Sequence, residues 1–454
     1  MSKSKIESNN HYLIIPKEIV TVDDQNRILK NHAVEISDTK IVAIHDLNYV
    51  SLEKFDGEIS NLPELTLIPG FIQTHIHLCQ TLFRGLADDL ELLDWLQLKI
   101  FPYENAHNKD SLRSSVRAGI LELQLGGTTT ILDMGSLNHQ EVIFEELINS
   151  GMRAFAGKCM IDQNDLFPEF KSTSKDELKH TYQLAKDFHN KSNGMIKYGF
   201  APRFILSCSD SMLKETAEMQ KDFPGSIYHT HSSENKNEIA EVRKRYGQEN
   251  IEHFNSIGIL SDHTVLAHGI HVNENEINTL KKNDVRISHC PSSNLKLGSG
   301  IANIPRYLKE GISVSLGADG APCNNNLSAF TEMRLASLIQ KPVHGPKVMD
   351  AQTVFRLATI EGARALHIDG ETGSIEVNKK ADLVFLDLNK VEMPYTEDEK
   401  SIYSKIVYSA SVHNVHSVMI DGKWVVKDRV SNKYDSKEVV SNAKTELNNL
   451  LKRV

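Results

Sequence analysis

From residue 66 onward the chain alternates short apolar runs, rich in β-branched and aromatic residues, with segments whose apolar positions recur every three or four residues. Eight runs read as strands: 65–78, 128–134, 153–161, 196–204, 226–233, 264–270, 285–292 and 313–319. Between them lie amphipathic helices such as HQEVIFEELINSG (139–151) and SDSMLKETAEMQKDFPG (209–225), and Gly151 is placed to end the first by taking a positive φ. Eight strands alternating with helices over roughly 250 residues predict an α/β protein with a (β/α)8 barrel of the TIM type. An open, doubly wound sheet has the same periodicity. The positions of the polar residues must separate the two.

The ends of the chain carry a different pattern. Residues 10–64 contain short strand-like runs (YLIIPKEIVTVD, HAVEIS, KIVAIHD), and residues 373–430 contain more (ADLVFLDL, SVMIDGKWVVKD), with Asp421-Gly422 as a hairpin signal. The two ends are therefore expected to pair into a small β-sandwich domain, giving a division into 1–64, a barrel over 65–372, and 373–454, the last closing with a surface helix.

Composition narrows the function classes. A chain of 454 residues that is 40% apolar can bury a large core. The excess of nine acidic charges is scattered, and no run of Lys and Arg interleaves with aromatics, so small-molecule chemistry is expected and a nucleic-acid surface is not. The first twenty residues are polar before a short apolar run, and no stretch approaches the roughly eighteen apolar residues of a membrane span. Five cysteines without C-x-x-C spacing fit a reducing compartment, and a cytoplasmic protein is expected.

In a β/α barrel the chemistry sits at the C-terminal ends of the strands. Here the first run ends in His75-Ile76-His77, the third carries Lys158, the fourth ends in Arg203, the fifth in His231, the sixth in His268, the seventh in His289 and the eighth in Asp319; the second offers only Asp133. The alternation of a strand puts His75 and His77 on one face. An isolated H-x-H is a weak signal, but three further ligand-type residues at other strand ends make a site with one divalent ion held by His75, His77, His231 and Asp319, leaving a position open for water. Imidazole suits zinc, expected first, and iron equally. His229 and His231 form a second H-x-H. His231 stands later in its run and Glu234 follows it, so His231 is taken as the ligand and His229 as a packed or supporting histidine. Glu234 is placed to transfer the water proton, His268 to orient the water, and Asp319 to ligate the ion and orient the nucleophile.

These residues, in this order, resemble the amidohydrolase superfamily, in the branch that holds nucleoside and purine deaminases together with triazine hydrolases. PGFIQTHIH (69–77), HTHSSEN (229–235), LAHGIH (266–271), SHCPSSNLKLGSGIA (288–302) and LGADGAPCNNN (316–326) look like its successive motifs, and KKADLVFLDL (379–388) like the return into the small domain. The resemblance implies a metal-activated water, Glu234 and His268 in proton transfer and orientation, and a homo-oligomer. It further implies hydrolytic release of ammonia from a purine nucleoside or base.

Residues 316–342 and the segment RGLADDLELLDWLQLKIFPYE (84–104) resemble deaminases of 5′-deoxyadenosine, methylthioadenosine or S-adenosylhomocysteine. In that group Glu104 falls where a glutamate takes the ribose hydroxyls, and Lys158 where an arginine contacts substrate. Residues 153–170 and 201–210 instead resemble guanine deaminase, where an Arg-Phe pair meets the purine, and Arg203 replaces a histidine expected of the methylthioadenosine enzymes. Gln80 is a candidate contact to the base in either case. The nucleoside is the leading substrate class, with guanine second and an s-triazine third. Trp95 is a pocket wall or a core residue.

Overall fold

The computed structural model describes residues 11–163, 165, 167–170, 172–389 and 401–454. The polar N-terminal residues 1–10, on which part of the compartment expectation rests, lie outside them.

The first predicted run divides into two strands. Glu58–Pro69 lies in the sheet built from the chain ends, its last residues antiparallel to Leu383–Leu386, whereas Phe71–His77 runs parallel to Thr128–Asp133 in the barrel. The chain crosses between sheets at Gly70, where a Cβ would come within 2.1 Å of the Thr129 hydroxyl. Only a residue without a side chain passes so close to the second barrel strand. Residues 65–69 thus belong to the small sheet although their apolar pattern continues into the barrel strand without a break.

That small sheet takes His11–Val20, Ile28–Lys30, His32–Ser37, Lys40–Asp46 and Glu58–Pro69 from the N-terminal end and Leu383–Leu386, Val415–Ile420, Lys423–Lys427 and Val430–Ser431 from the C-terminal end. One apolar cluster draws on both halves: Ile14, Val34 and Ile41 from one, Phe385 and Met419 from the other. The sheet therefore closes over itself as a sandwich. Asp421 and Gly422, with φ of 49° and 72°, make the expected tight hairpin.

The barrel strands are Phe71–His77, Thr128–Asp133, Arg153–Ala156 with Cys159–Met160, Ile196–Pro202, Ile227–Ser232, Thr264–His268, Arg286–His289 and an eighth in two pieces, Val314–Leu316 and Asp319–Gly320. Each is parallel to its neighbour. The first piece of the eighth pairs with the seventh strand and the second piece with the first strand, so the ring closes and an open sheet is excluded. The helix Gln140–Ser150 ends at Gly151 with φ of 70°, and Asp210–Gln220 starts under the Ser209 cap. The C-terminal helix Ser436–Leu450 packs on the helix Lys109–Leu125. Among the described residues no helix is long and apolar enough to cross a membrane, and all five cysteines are buried and unpaired.

A buried ion pair joins the two units. Arg153, on the third barrel strand, donates to both carboxylate oxygens of Asp382 at 2.7 and 3.2 Å, and Asp382 also accepts from the backbone N–H of Asp421 in the hairpin. Both side chains are almost wholly removed from solvent. Removing one partner leaves an uncompensated buried charge, which typically costs about 3–5 kcal/mol. Asp382→Ala is expected to lower the unfolding free energy by about that amount in urea titrations, and a change below about 1 kcal/mol would refute the joint.

Candidate active site

The four expected ligands meet at the C-terminal rim of the barrel. His75 and His77 leave the first strand on the same side; Asp319 reaches them from the second piece of the eighth, its Oδ1 lying 3.3 Å from both His75 Nε2 and His77 Nε2. His77 Nε2 and His231 Nε2 are also 3.3 Å apart. Ligands about 2.0–2.1 Å from a tetrahedrally bound ion stand about 3.3 Å from one another. The donor spacing therefore fits a single divalent ion.

Neighbours set which nitrogen His231 and His75 turn toward the site. His231 Nδ1 donates to the carbonyl of Arg203 at 2.6 Å, which leaves the Nε2 lone pair toward the site. His75 Nδ1 lies 2.8 Å from His229 Nε2, while His75 Nε2 is buried without a hydrogen-bond partner. An orphaned, buried imidazole nitrogen facing a carboxylate is what a ligand lacking its ion looks like. Burial holds His75, His77 and His231 below the ordinary imidazole pKa, and the uncharged ring is the form that ligates.

Beside these donors stand Glu234 and His268, with His268 Nε2 at 3.4 Å from Glu234 Oε2 and 3.9 Å from Asp319 Oδ2. Burial, and then the charge of Asp319, pushes Glu234 well above the usual carboxylate range, which favours its protonated form. Two residues that the motifs did not single out hold this pair. Asn294 Oδ1 accepts from His268 Nδ1 at 2.9 Å, and Glu238 Oε2 accepts from the backbone N–H groups of Glu234 and Asn235 at 2.8 and 3.2 Å. Asn235-x-x-Glu238 is a capping box, a signal that was present in the sequence.

The cavity at this rim is lined by His77, His231 and Asp319, by Glu234, Glu238 and His268, and by Gln80, Leu92, Trp95, Leu96, Arg203 and Phe204. Glu104 stands behind this wall. Its Oε2 accepts from Arg203 at 2.7 Å, and its Oε1 from Gln80 at 2.7 Å and from Arg203 at 3.3 Å. The Glu104 and Arg203 signals, which pointed to different substrates in the sequence, belong to one buried ion pair.

Lys158 departs from its expected place in the pocket. It falls in the break between Arg153–Ala156 and Cys159–Met160, where strand alternation lapses, and its amine turns outward to Glu177 at 2.5 Å. It lines a separate groove with His139 and His180. Asp133 also serves another purpose, accepting from the backbone N–H groups of Leu78 and Gly135 at 2.8 and 3.0 Å and so fastening the turn after His77. His289 is buried with neither ring nitrogen bonded and does not line the cavity.

A closed β/α barrel whose rim gathers three imidazoles, an aspartate and a glutamate has the make-up of a metal-dependent hydrolase. The chain belongs to the amidohydrolase family, whose model matches residues 66–425. It is 33% identical over 432 residues to a 5-methylthioadenosine/S-adenosylhomocysteine deaminase of Bacillus cytotoxicus, covering 94% of this chain and 96% of that one. It is 38% identical over 402 residues to a 5′-deoxyadenosine deaminase of Methanothermobacter thermautotrophicus, covering 88% and 90%. Its fold matches the crystal structure of an adenosine deaminase from Xanthomonas campestris with bound zinc at a TM-score of 0.89 and 29% identity, over 98% and 99% of the two chains.

His229 touches no open space in the cavity, yet it carries His75. Losing a partner that orients a metal-binding histidine typically costs about 10- to 100-fold in metal affinity. His229→Ala is expected to show that loss in a chelator competition, and an unchanged affinity would remove His229 from this role.

Proposed function

We propose that this protein is a zinc-dependent hydrolytic deaminase of adenine nucleosides of the 5′-deoxyadenosine, methylthioadenosine or S-adenosylhomocysteine type. The observation that carries the reading is the meeting of Glu234 and His268, 3.4 Å apart, beside the donor set of His75, His77, His231 and Asp319 in one buried cavity. Relatives named as deaminases of these nucleosides, alike over most of both chains, support the substrate class. Three imidazoles and one carboxylate suit zinc.

When bound, the ion supplies water that ionises near pH 7. The residues of the chain do the rest. His268, fixed by Asn294 through Nδ1, presents Nε2 toward the nucleophile's position and orients it. Asp319, close to both His75 and His268, accepts from the same water and holds its lone pair toward the base. Glu234 takes one proton from that water and delivers it to the ring nitrogen next to the carbon under attack, which makes that carbon electrophilic; the remaining proton of the added hydroxyl passes by way of the Asp319 carboxylate to the amino nitrogen, so that the C–N bond breaks with release of ammonia. Leu92, Trp95, Leu96 and Phe204 keep bulk water from the ring.

Proton transfer by a placed carboxyl is worth about 10²- to 10⁴-fold. Glu234→Gln is therefore expected to retain its zinc, measured by atomic emission, while ammonia release from 5′-deoxyadenosine falls by about that factor. A variant within threefold of the wild type would exclude Glu234 as the proton carrier. A wild type that releases ammonia rapidly from guanine and not at all from 5′-deoxyadenosine or methylthioadenosine would overturn the substrate assignment.

The Arg203–Glu104 pair adds a specificity argument. Four hydrogen bonds, two from Arg203 and one each from Gln80 and the Cys79 thiol, use the Glu104 carboxylate, which offers about four acceptor positions. Arg203→His is expected to free that carboxylate for vicinal hydroxyls and raise kcat/KM for ribonucleosides relative to guanine by about tenfold, the size of one hydrogen bond to a charged group. An unchanged ranking of substrates would disconnect the pair from recognition.

A further inference from the structure

Two of the motifs that build the rim, 288–302 and 316–326, are fastened to one buried carboxyl that stands outside both. Glu332, on the helix Ala329–Leu338, is 1% exposed and does not line the cavity. Its Oε2 accepts from the backbone N–H of Ser292 at 3.1 Å, and its Oε1 from the Ser292 hydroxyl at 2.5 Å and from Asn324 Nδ2 at 2.8 Å. Burying a carboxyl costs free energy that an apolar side chain would not. The three bonds that offset the cost all go to segments carrying site residues.

One arm leads to His268. Ser292 and Asn294 share the helix Pro291–Lys296, whose N-cap residue, Cys290, makes no side-chain bond to the free N–H groups of the first turn. Glu332 supplies that bond from 40 positions away. A helix of six residues has little stability of its own, so its placement depends on such ties. Asn294, two residues on, holds Nδ1 of His268. The other arm leads to Asp319. Asn324 Nδ2 donates to Glu332 and to the carbonyl of Ala318, both at 2.8 Å, and the amide cannot turn over because its Oδ1 accepts from Asn326 at 2.7 Å. Ala318 directly precedes Asp319, whose left-handed backbone persists only while its neighbours hold it.

We propose that Glu332 is a positioning residue for both halves of the site, setting Asp319 against His75 and His77 through Asn324, and setting His268 through the turn that carries Ser292 and Asn294. Its effect on turnover rests on the deaminase reading; its effect on metal binding does not.

Glu332→Gln keeps the shape of the side chain but accepts through one oxygen only and turns an NH2 group toward donors. It is expected to bind zinc about tenfold more weakly in a chelator competition and, at saturating zinc, to deaminate 5′-deoxyadenosine with kcat about tenfold lower and KM within about twofold of the wild type, the loss usual when a group that orients a ligand is removed. A role in stability alone predicts a lower thermal midpoint with zinc affinity and kcat both within about twofold of the wild type. That result, or a change in only one of the two, overturns the proposal. If Glu332→Gln does not fold, Asn324→Ala cuts the arm to Asp319 and leaves Glu332 with Ser292. It is expected to weaken zinc binding by about the same factor, and an unchanged affinity overturns the proposal. The two readings fail separately: absence of ammonia from every adenine nucleoside removes the deaminase assignment, and the zinc affinity of Glu332→Gln then decides the role of Glu332 by itself.

Discussion

The site depends on the way the barrel closes between its eighth and first strands. Val314–Leu316 follows the seventh strand, and within two residues the chain has shifted so that Asp319 and Gly320 pair with Ile76 and His77. In making that shift Gly317 passes over His75 so closely that a Cβ would stand 2.7 Å from its carbonyl oxygen and 2.9 Å from its own Cβ. Asp319 then takes a left-handed φ of 61°. A non-glycine residue held there costs about 1–3 kcal/mol and persists only when its surroundings fix it. They do: Gln73 accepts from the Ala318 N–H at 3.0 Å, and Asn324 donates to the Ala318 carbonyl at 2.8 Å. The seam that completes the ring is also what brings the carboxylate against the two histidines of the first strand.

Electrostatics in the cavity follows from burial. Imidazoles kept uncharged by burial add no positive charge, and the one arginine in the wall is already neutralised by Glu104. Asp319 therefore has no permanent cation of its own, which suits a site built around a divalent ion. Arg203 does two jobs through different atoms. Its carbonyl orients His231, and its guanidinium occupies Glu104, with the ring of Phe101 5.0 Å from the guanidinium carbon. His231 and the Glu104 ion pair are thereby linked by a single residue just after the fourth strand.

Much of this was legible in the sequence because strand alternation and barrel topology act together. His75 and His77 share a face by period, and polar residues at the ends of separate strands have nowhere to meet except the rim. The break at Gly70 is hidden in the sequence because Leu67 and Ile68 before it and Phe71 and Ile72 after it are all apolar, and only the partner strands differ. Lys158 was misplaced because a two-residue lapse in the third strand reverses the side on which its amine emerges. The bond between Glu104 and Arg203 joins residues 99 positions apart on different elements, and nothing in local pattern couples them. Glu238 and Asn294 carry no chemistry of their own, so their value shows only once the groups they hold are placed.

Left-handed backbone recurs around the rim in a way that organises the side carrying Glu234 and His268. Ser233 and His268 have φ of 55° and 75° at the ends of the fifth and sixth strands. These turns re-aim the chain at the point where it would otherwise run straight out of the barrel. They are also tied together, since the N–H of Gly269 donates to the Ser232 carbonyl and those of Ile270 and His271 to the Ser233 carbonyl at 2.9 to 3.0 Å. Glu234 follows one strained residue and His268 is the other. Their separation is therefore fixed by backbone hydrogen bonds that do not involve either side chain. Replacing either side chain leaves those backbone hydrogen bonds in place, and with them the frame that positions the other residue.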